Sequence, residues 1–207
     1  MCGIVGGVTN RDITPLLLDG LKRLEYRGYD SSGLLVLSNN NSFLRARSVG
    51  KVHNLEKNLN SRKKRIKGNI GIAHTRWATH GEPANRNAHP HISNNTVGVV
   101  HNGIIENYLE LKDSQSRQGY KFTSDTDTEV IAHAIEFSMQ SSNTLLESVQ
   151  KAISTLKGAY GLGVISPKHP NTIIAARKGS PLVIGVGKAG NYIASDQMAL
   201  LSVTKKF

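Results

Sequence analysis

The stretch Met1-Cys2-Gly3-Ile4-Val5-Gly6-Gly7-Val8 opens the chain and gives the first indication of its fold. Its apolar run is typical of a short buried strand, and its glycines let a substrate or another backbone approach closely. Once the initiator methionine is removed, the Cys2 thiol and a free α-amine belong to one residue. The α-amine titrates at about pH 8 and a thiol at about 8.5, so the amine can accept the thiol proton. The stretch therefore predicts either a small buried cysteine or an N-terminal nucleophile with its own base.

Strand patterns occur near both ends of the chain, and most helical patterns lie between them. In the first half, strands are expected at residues 2–8, 34–37, 70–74 and 97–101. Four more are expected at residues 160–166, 172–176, 182–186 and 192–194, separated by Gly, Pro and Asn turns. This grouping predicts an α+β fold, and the lack of repeats or low-complexity linkers favours one domain.

Helix boundaries are indicated by capping residues. Thr14-Pro15 is expected to supply a cap residue and an N1 proline for a leucine-rich helix that ends before Gly28. A second helix is expected at residues 107–118, and a third is expected to be capped by Ser124 or Asp125. Thr144-Leu145-Leu146-Glu147 has the pattern of a capping box and precedes a clean apolar stripe.

Composition limits the possible function classes. A single cysteine excludes an internal disulfide framework and suits a reducing compartment. No apolar run approaches the roughly 18 residues that a membrane span needs, and no secretory leader is recognisable. We therefore expect a soluble, cytoplasmic protein without membrane association.

The net charge of +11 raises the question of nucleic-acid binding. The densest basic stretch is Arg62-Lys63-Lys64-Arg65-Ile66-Lys67, which contains no aromatic residue. No nucleic-acid reader motif accompanies it, and aromatic residues make up only 5% of the chain. A solvated loop is therefore favoured over a polyanion-binding patch, and no nucleic-acid partner is expected.

Polar clusters at the ends of expected strands are candidates for chemistry. They lie at residues 27–33, 74–81 and 101–107, and the acidic pair Asp125 and Asp127 stands at an expected helix start. The segment 75–95 is a long polar loop rich in His, Asn and Pro, and a loop of that length is usually functional.

The eight histidines are not spaced as metal ligands. His89-Pro90-His91 is too tight for a helical pair, and no carboxylate or cysteine lies at ligand spacing. The glycines of residues 158–163 lack the Lys-Ser/Thr ending of a phosphate loop. We expect no metal and no cofactor.

Six segments together resemble the glutaminase domain of the glutamine–fructose-6-phosphate aminotransferases, class II amidotransferases of the N-terminal-nucleophile hydrolase superfamily. They are residues 2–6, 26–31, 74–83, 87–91, 101–107 and 126–130, in the same order and over nearly the whole chain. The resemblance implies a four-layer αββα sandwich, in which two antiparallel sheets lie between helical layers.

The resemblance also implies catalytic residues. Cys2 would attack the side-chain amide of L-glutamine to give a thioester and ammonia, with its α-amine as base. The Asn102 side-chain amide and the Gly103 backbone N–H would form the oxyanion hole.

Substrate-binding residues follow from the same resemblance. Arg76 would hold the α-carboxylate of glutamine with two hydrogen bonds, and Asp127 would pair with the α-ammonium group. The residues implied in closing over the substrate are Trp77, Thr79 and His80, and those implied in holding the N-terminal residue are Arg27 and Gly28.

The extent of the chain is a separate expectation. Residues 1–207 are expected to be one glutaminase domain that ends before its last strands. The two sugar-isomerase domains of the family, which bind fructose 6-phosphate and receive the ammonia, are absent from this chain. The full-length protein is expected to form a homo-oligomer. The alternatives are an amidotransferase domain with another acceptor and a basic, non-enzymatic binding module, whose binding would fall steeply with salt.

Overall fold

The strands form two antiparallel sheets in this computed structural model, which describes residues 2–207. The larger sheet has six strands in the order β3-β2-β4-β1-β10-β9, and the smaller has four in the order β5-β6-β7-β8. The strands are β1 Gly3–Thr9, β2 Ser31–Leu37, β3 Phe43–Val49, β4 Ile70–Arg76, β5 His91–Ser93, β6 Val97–Ile105, β7 Gly158–Ile165, β8 Ile173–Lys178, β9 Val183–Gly187 and β10 Gly190–Ala194.

Five helices accompany the sheets in the described part of the chain. They are α1 Thr14–Leu24, α2 Val52–Asn60, α3 Tyr108–Arg117, α4 Thr128–Met139 and α5 Leu145–Ile153. Two short 3₁₀ helices lie at Glu25–Arg27, after α1, and at Gln197–Leu200, after β10. None of the helices within residues 2–207 has the length and apolar character that a membrane crossing requires.

Three apolar cores separate the layers. Leucines and valines of α1 and α2, such as Leu17 and Leu55, pack on one face of the six-stranded sheet. Between the two sheets lies a second core that includes Ile4, Ile72 and Val100. A third core joins the four-stranded sheet to α3, α4 and α5. The order is therefore helices, sheet, sheet, helices, which confirms the α+β prediction and the four-layer sandwich.

Strand β1 lies at the centre of the larger sheet, between β4 and β10. In its register with β4, Gly3 pairs with Thr75 and Ile4 pairs with His74. The register places Cys2, which precedes β1, beside the end of β4 at Arg76. The N-terminal cysteine and the polar segment 74–81 therefore meet at one edge of the sandwich.

Helix caps agree with the sequence only in part. The Thr144 side chain accepts from the Glu147 N–H at 3.1 Å, which confirms the cap of α5. Helix α1 forms as predicted with Pro15 in its first turn, but the predicted cap was wrong: its N-cap is Ile13, and Asp12 Oδ1 accepts the Thr14 N–H at 3.1 Å.

The cap of α4 also differs from its prediction. The N-cap is Asp127 rather than Ser124 or Asp125, and the Asp127 side chain makes no capping hydrogen bond. Its carboxylate bonds elsewhere, as described below.

The basic stretch lies in the loop between α2 and β4, where the side chains of residues 62–65 are exposed. This position agrees with the solvated loop expected from its composition.

Candidate active site

The Cys2 thiol lies beside the backbone that follows β4. Its Sγ accepts a hydrogen bond from the Trp77 N–H at 3.2 Å. Burial raises the pKa of the Cys2 thiol, and the bond from Trp77 offsets only part of that effect. A thiol in this position is therefore mainly protonated at rest, so its reaction as a nucleophile requires a nearby base.

Asn102 and Gly103 lie in β6, on the other sheet, and face Cys2. Asn102 Nδ2 donates to the Cys2 carbonyl oxygen at 2.9 Å. Gly103 has φ +138°, and a side chain there would collide with the Ala159 carbonyl oxygen. Glycine is therefore required at this position by backbone geometry as well as by the strand β7 beside it.

Arg76, at the end of β4, is only 4% exposed. Its Nη2 donates to the carbonyl oxygens of His80 and Gly81, and Nη1 donates to that of Glu82 at 3.2 Å. Asp30 Oδ1 lies 3.9 Å from Nη1 and supplies an opposite charge. Through these hydrogen bonds the Arg76 guanidinium holds residues 80–82 in a turn around it.

Asp127 is the second buried charge in the site and is 4% exposed. Its Oδ2 accepts the Ile105 N–H at 2.8 Å, and its Oδ1 lies 3.9 Å from His101 Nδ1. These contacts fix the carboxylate against the end of β6, close to Gly103 in sequence.

The loop after β4 covers one side of the site. Trp77 is 51% exposed, and its ring meets that of Tyr29 edge to face at 5.8 Å. The His80 ring meets that of Tyr108 at 5.1 Å, and Thr79 lies between the two loop aromatics in sequence. The exposed Trp77 ring shows that the loop carries an apolar surface toward solvent.

Arg27 and Gly28 bring the first helical segment to the site. Arg27 Nε donates to the Cys2 carbonyl oxygen at 3.2 Å, so this oxygen accepts from both Arg27 and Asn102. A side chain at Gly28 would lie 2.8 Å from the Arg76 carbonyl carbon and oxygen. Gly28 therefore acts through close backbone packing.

A pocket of about 290 Å³ opens between these elements. It is lined by the expected site residues with the exception of Gly28, namely Cys2, Arg27, Arg76, Trp77, Thr79, His80, Asn102, Gly103 and Asp127. Residues that are widely separated in sequence, and that come from both sheets, therefore share one cavity.

The family model described as a glutamine amidotransferase domain matches residues 74–202. The chain belongs to this glutamine amidotransferase family. The match begins at His74 and includes Arg76 at the end of β4 and the whole of β6.

Similar full-length sequences carry a more specific name. The chain is 56% identical over 207 residues to the glutamine–fructose-6-phosphate aminotransferase (isomerizing) of Photorhabdus laumondii, and 57% identical to that of Acinetobacter baylyi. These alignments cover 100% of this chain but only 34% and 33% of the relatives. The chain thus spans about a third of the length of the curated relatives it matches.

Solved amidotransferases share the fold. The glutamine phosphoribosylpyrophosphate amidotransferase from B. subtilis aligns with TM-score 0.83 at 28% identity, over 98% of this chain and 44% of that one. A glutamine aminotransferase class-II domain protein from Silicibacter pomeroyi aligns with TM-score 0.62 at 13% identity, over 93% and 88% of the two chains. The second likeness concerns the fold alone.

Several residues that support this pocket were not predicted from the sequence. Asp30 Oδ2 accepts the Ala78 N–H and lies near Arg76, and Asp196 Oδ2 lies 3.4 Å from Arg27 Nη1. His74 is fully buried and contacts Asn102. Asp30 and His74 stand inside the polar clusters, but Asp196 has no such neighbours in sequence, so its contact could not be predicted.

Across residues 2–207, no group of three or more His, Cys, Asp and Glu side chains is arranged to hold a metal ion. The buried histidines instead contact one another or hydroxyl groups. His89 stacks against His74 with ring centroids 4.1 Å apart, and His91 Nε2 lies 3.0 Å from the Thr126 hydroxyl oxygen.

Proposed function

We propose that this domain hydrolyses the side-chain amide of glutamine to glutamate and ammonia through a thioester on Cys2. The observation that carries the proposal is the shared pocket, in which the Cys2 thiol lies with the Asn102 amide, the Gly103 backbone and two buried opposite charges. Membership of the glutamine amidotransferase family supports the same substrate.

The base in this mechanism is the α-amine that becomes free on Cys2 when Met1 is removed. Met1 lies outside the described residues. Because burial raises the thiol pKa, the thiol must lose its proton to a neighbouring group as it attacks. An α-amine titrates at about pH 8 and is on the same residue, so it is suited to accept that proton. It then returns a proton to the leaving ammonia, and water hydrolyses the thioester to glutamate.

Charge on the amide oxygen is stabilised by Asn102 and Gly103 in this proposal. Asn102 Nδ2 already donates to the Cys2 carbonyl oxygen at 2.9 Å. A small movement when substrate binds would let the same NH₂ group donate to the oxygen of the substrate amide as well. Donors that are fixed before the reaction lower the barrier because they need no reorganisation.

We assign recognition of the α-carboxylate and α-ammonium groups of glutamine to Arg76 and Asp127. Both are nearly buried, carry opposite charges and line the pocket, so they match the carboxylate and ammonium of an amino acid. Trp77, Thr79 and His80 are proposed to cover the bound substrate. Arg27 and Gly28 are proposed to hold Cys2, which agrees with the bond from Arg27 Nε to the Cys2 carbonyl oxygen.

In a longer protein, we propose that residues 1–207 act as one glutaminase domain and that its ammonia converts fructose 6-phosphate to glucosamine 6-phosphate. The support is the name and length of the relatives, of which this chain spans about a third. The sugar would be bound by isomerase domains outside this chain. We also propose that this longer protein is a cytoplasmic homo-oligomer. An amidotransferase with another acceptor is the alternative.

The test compares wild-type protein with Cys2→Ala and Cys2→Ser, measuring both glutamate and ammonia. We expect equal amounts of the two products from wild type and a loss of more than about a thousandfold in both variants. Activity of Cys2→Ala within about tenfold of wild type would be incompatible with a thioester. Addition of fructose 6-phosphate to the full-length protein tests the acceptor, since a different acceptor would leave glucosamine 6-phosphate unformed.

A further inference from the structure

His74 lies in β4 at the contact between the two sheets and is fully buried. Its Nε2 is 3.0 Å from the His101 carbonyl oxygen and 2.9 Å from Asn102 Oδ1. A carbonyl oxygen can only accept a hydrogen bond, so Nε2 must carry the ring hydrogen. Both oxygens therefore accept from the same N–H group.

The ring is held in one tautomer. Burial lowers the pKa of His74 to about 3, so the ring is neutral at physiological pH and only one of its two nitrogens carries a hydrogen. That hydrogen is on Nε2, and Nδ1 has no hydrogen-bond partner among residues 2–207. The stacked His89 ring, with centroids 4.1 Å apart, limits rotation of His74.

This tautomer decides which way the Asn102 amide faces. On the side away from His74, Asn102 Nδ2 donates to the Cys2 carbonyl oxygen at 2.9 Å. If the amide turned by half a rotation, its NH₂ group would face the His74 N–H and its oxygen would face the Cys2 carbonyl. Two donors would then meet on one side and two acceptors on the other, so both hydrogen bonds would be lost.

We infer that His74 is a positioning residue, which keeps the Asn102 amide nitrogen on the Cys2 side of the pocket, where the oxyanion forms. The inference rests on the proposed function, because amide orientation affects the reaction only if negative charge develops beside Cys2. A turned amide would present its oxygen to that charge and would repel it.

The experiment uses His74→Gln, His74→Asn and His74→Leu in the protein expressed from its whole coding sequence. A glutamine amide nitrogen can occupy nearly the position of histidine Nε2, whereas that of asparagine is one methylene short and leucine has no donor. We expect kcat for glutamine hydrolysis to fall about 10- to 100-fold in the Asn and Leu variants and KM to stay within about threefold. The Gln variant should recover most of the lost rate.

A second measurement tests whether His74 acts through Asn102. When His74→Asn is combined with Asn102→Ala, it should lower kcat by less than about twofold further, because the group it positions is already absent. Alkylation of Cys2 by iodoacetamide forms no oxyanion, so its rate should match wild type in the folded single variants of His74. Thermal unfolding, followed by circular dichroism, identifies any variant that does not fold.

Three results would overturn the inference: wild-type kcat in His74→Asn, equal losses in the folded Gln and Asn variants, or fully multiplicative losses in the double variant. If wild-type protein alkylates at Cys2 but does not hydrolyse glutamine, the proposed function fails instead. If only the Leu variant fails to fold, the comparison of kcat between the Gln and Asn variants still tests the inference.

Discussion

At the residue scale, the position of Cys2 has two consequences for its thiol. Its burial next to the Trp77 backbone shields the sulfur, and the same burial raises the thiol pKa. A permanently ionised thiolate is therefore disfavoured, and proton removal has to accompany attack. In the proposed mechanism, an α-amine on the same residue meets that requirement, since no other residue has to be brought into place.

The substitution Asn102→Ala tests oxyanion stabilisation. It removes a donor aimed at charge that is present only in the transition state, so kcat should fall by roughly 10²–10³ while KM changes little. The measurement is steady-state glutamine hydrolysis. Asn107→Ala is the matched control: the Asn107 side chain bonds to the backbone of residues 155 and 157 and does not line the pocket, so kcat should be retained. A change confined to KM in Asn102→Ala would make Asn102 a substrate-binding residue.

Arg76→Lys tests recognition of the α-carboxylate. A lysine ammonium cannot reproduce the planar fork that contacts several carbonyl oxygens of the 80–82 loop, so both the loop and the substrate contact are weakened. We expect kcat/KM for glutamine to fall by roughly 10–100-fold. Wild-type kcat/KM in a correctly folded Arg76→Lys protein would remove Arg76 from the binding site.

Asp127→Asn tests recognition of the α-ammonium. Asparagine keeps an oxygen for the Ile105 N–H but loses the negative charge, so the structural bond survives. The loss in kcat/KM should be large on glutamine, roughly 10-fold or more, and small on its des-amino analogue. Equal losses on the two substrates would mean that Asp127 serves only to hold the end of β6.

At the scale of elements, the site depends on strand ends from both sheets. Strand β4 supplies Arg76 and β6 supplies Asn102, while the core between the sheets keeps the two strands in contact. Helices lie on the outer faces, and α5 supplies none of the residues that line the pocket. Outer-layer stability and catalysis should therefore be separable.

Thr144→Ala tests this separation. It removes the side-chain cap of α5, which accepts the Glu147 N–H at 3.1 Å on the outer helical layer. Loss of such a cap costs about 1 kcal/mol and lowers the melting temperature of a domain this size by roughly 2–4 °C. Glutamine kinetics at 25 °C should be unchanged. Thr155→Ala, near the end of the same helix, is a suitable control for hydroxyl loss without cap loss. A catalytic defect in Thr144→Ala would contradict the separation.

Local sequence patterns identified elements whose stability is also local. The apolar runs of β1, β4 and β6 and the capping box of α5 were predicted because periodicity and capping are encoded within a few residues. The sequence patterns predict no element at β3 or α2. Helix α2 has only Val52 and Leu55 buried, and its first turn is capped from a distance by Glu25 Oε2, which accepts the Val52 N–H at 2.7 Å.

The same distinction applies to the site. Cys2, Arg76, Asn102 and Asp127 were singled out because they stand in short motifs that resemble a known family. The contact of His74 with Asn102 joins residues 28 positions apart across two sheets, so it depends on how the sheets pack. Strand β5 is similar, because its three residues are extended through pairing with β6.

At the scale of the whole molecule, the chain has the pocket to which we assign glutamine but about a third of the length of its relatives. Ammonia formed here would leave this domain before it reacts with an acceptor. In the proposed function, hydrolysis of glutamine is therefore the part assigned to these residues, and synthesis of an amino sugar would require further parts of a longer protein.

The most direct test of the account is mass spectrometry of the active protein after reaction with a diazo-ketone analogue of glutamine. The account predicts one adduct, located on Cys2, in an N-terminal peptide that lacks Met1, together with complete loss of glutamine hydrolysis. Cys2→Ala should give no adduct. Full activity in protein that retains Met1, or inactivation by an adduct at any other residue, would contradict the N-terminal cysteine mechanism.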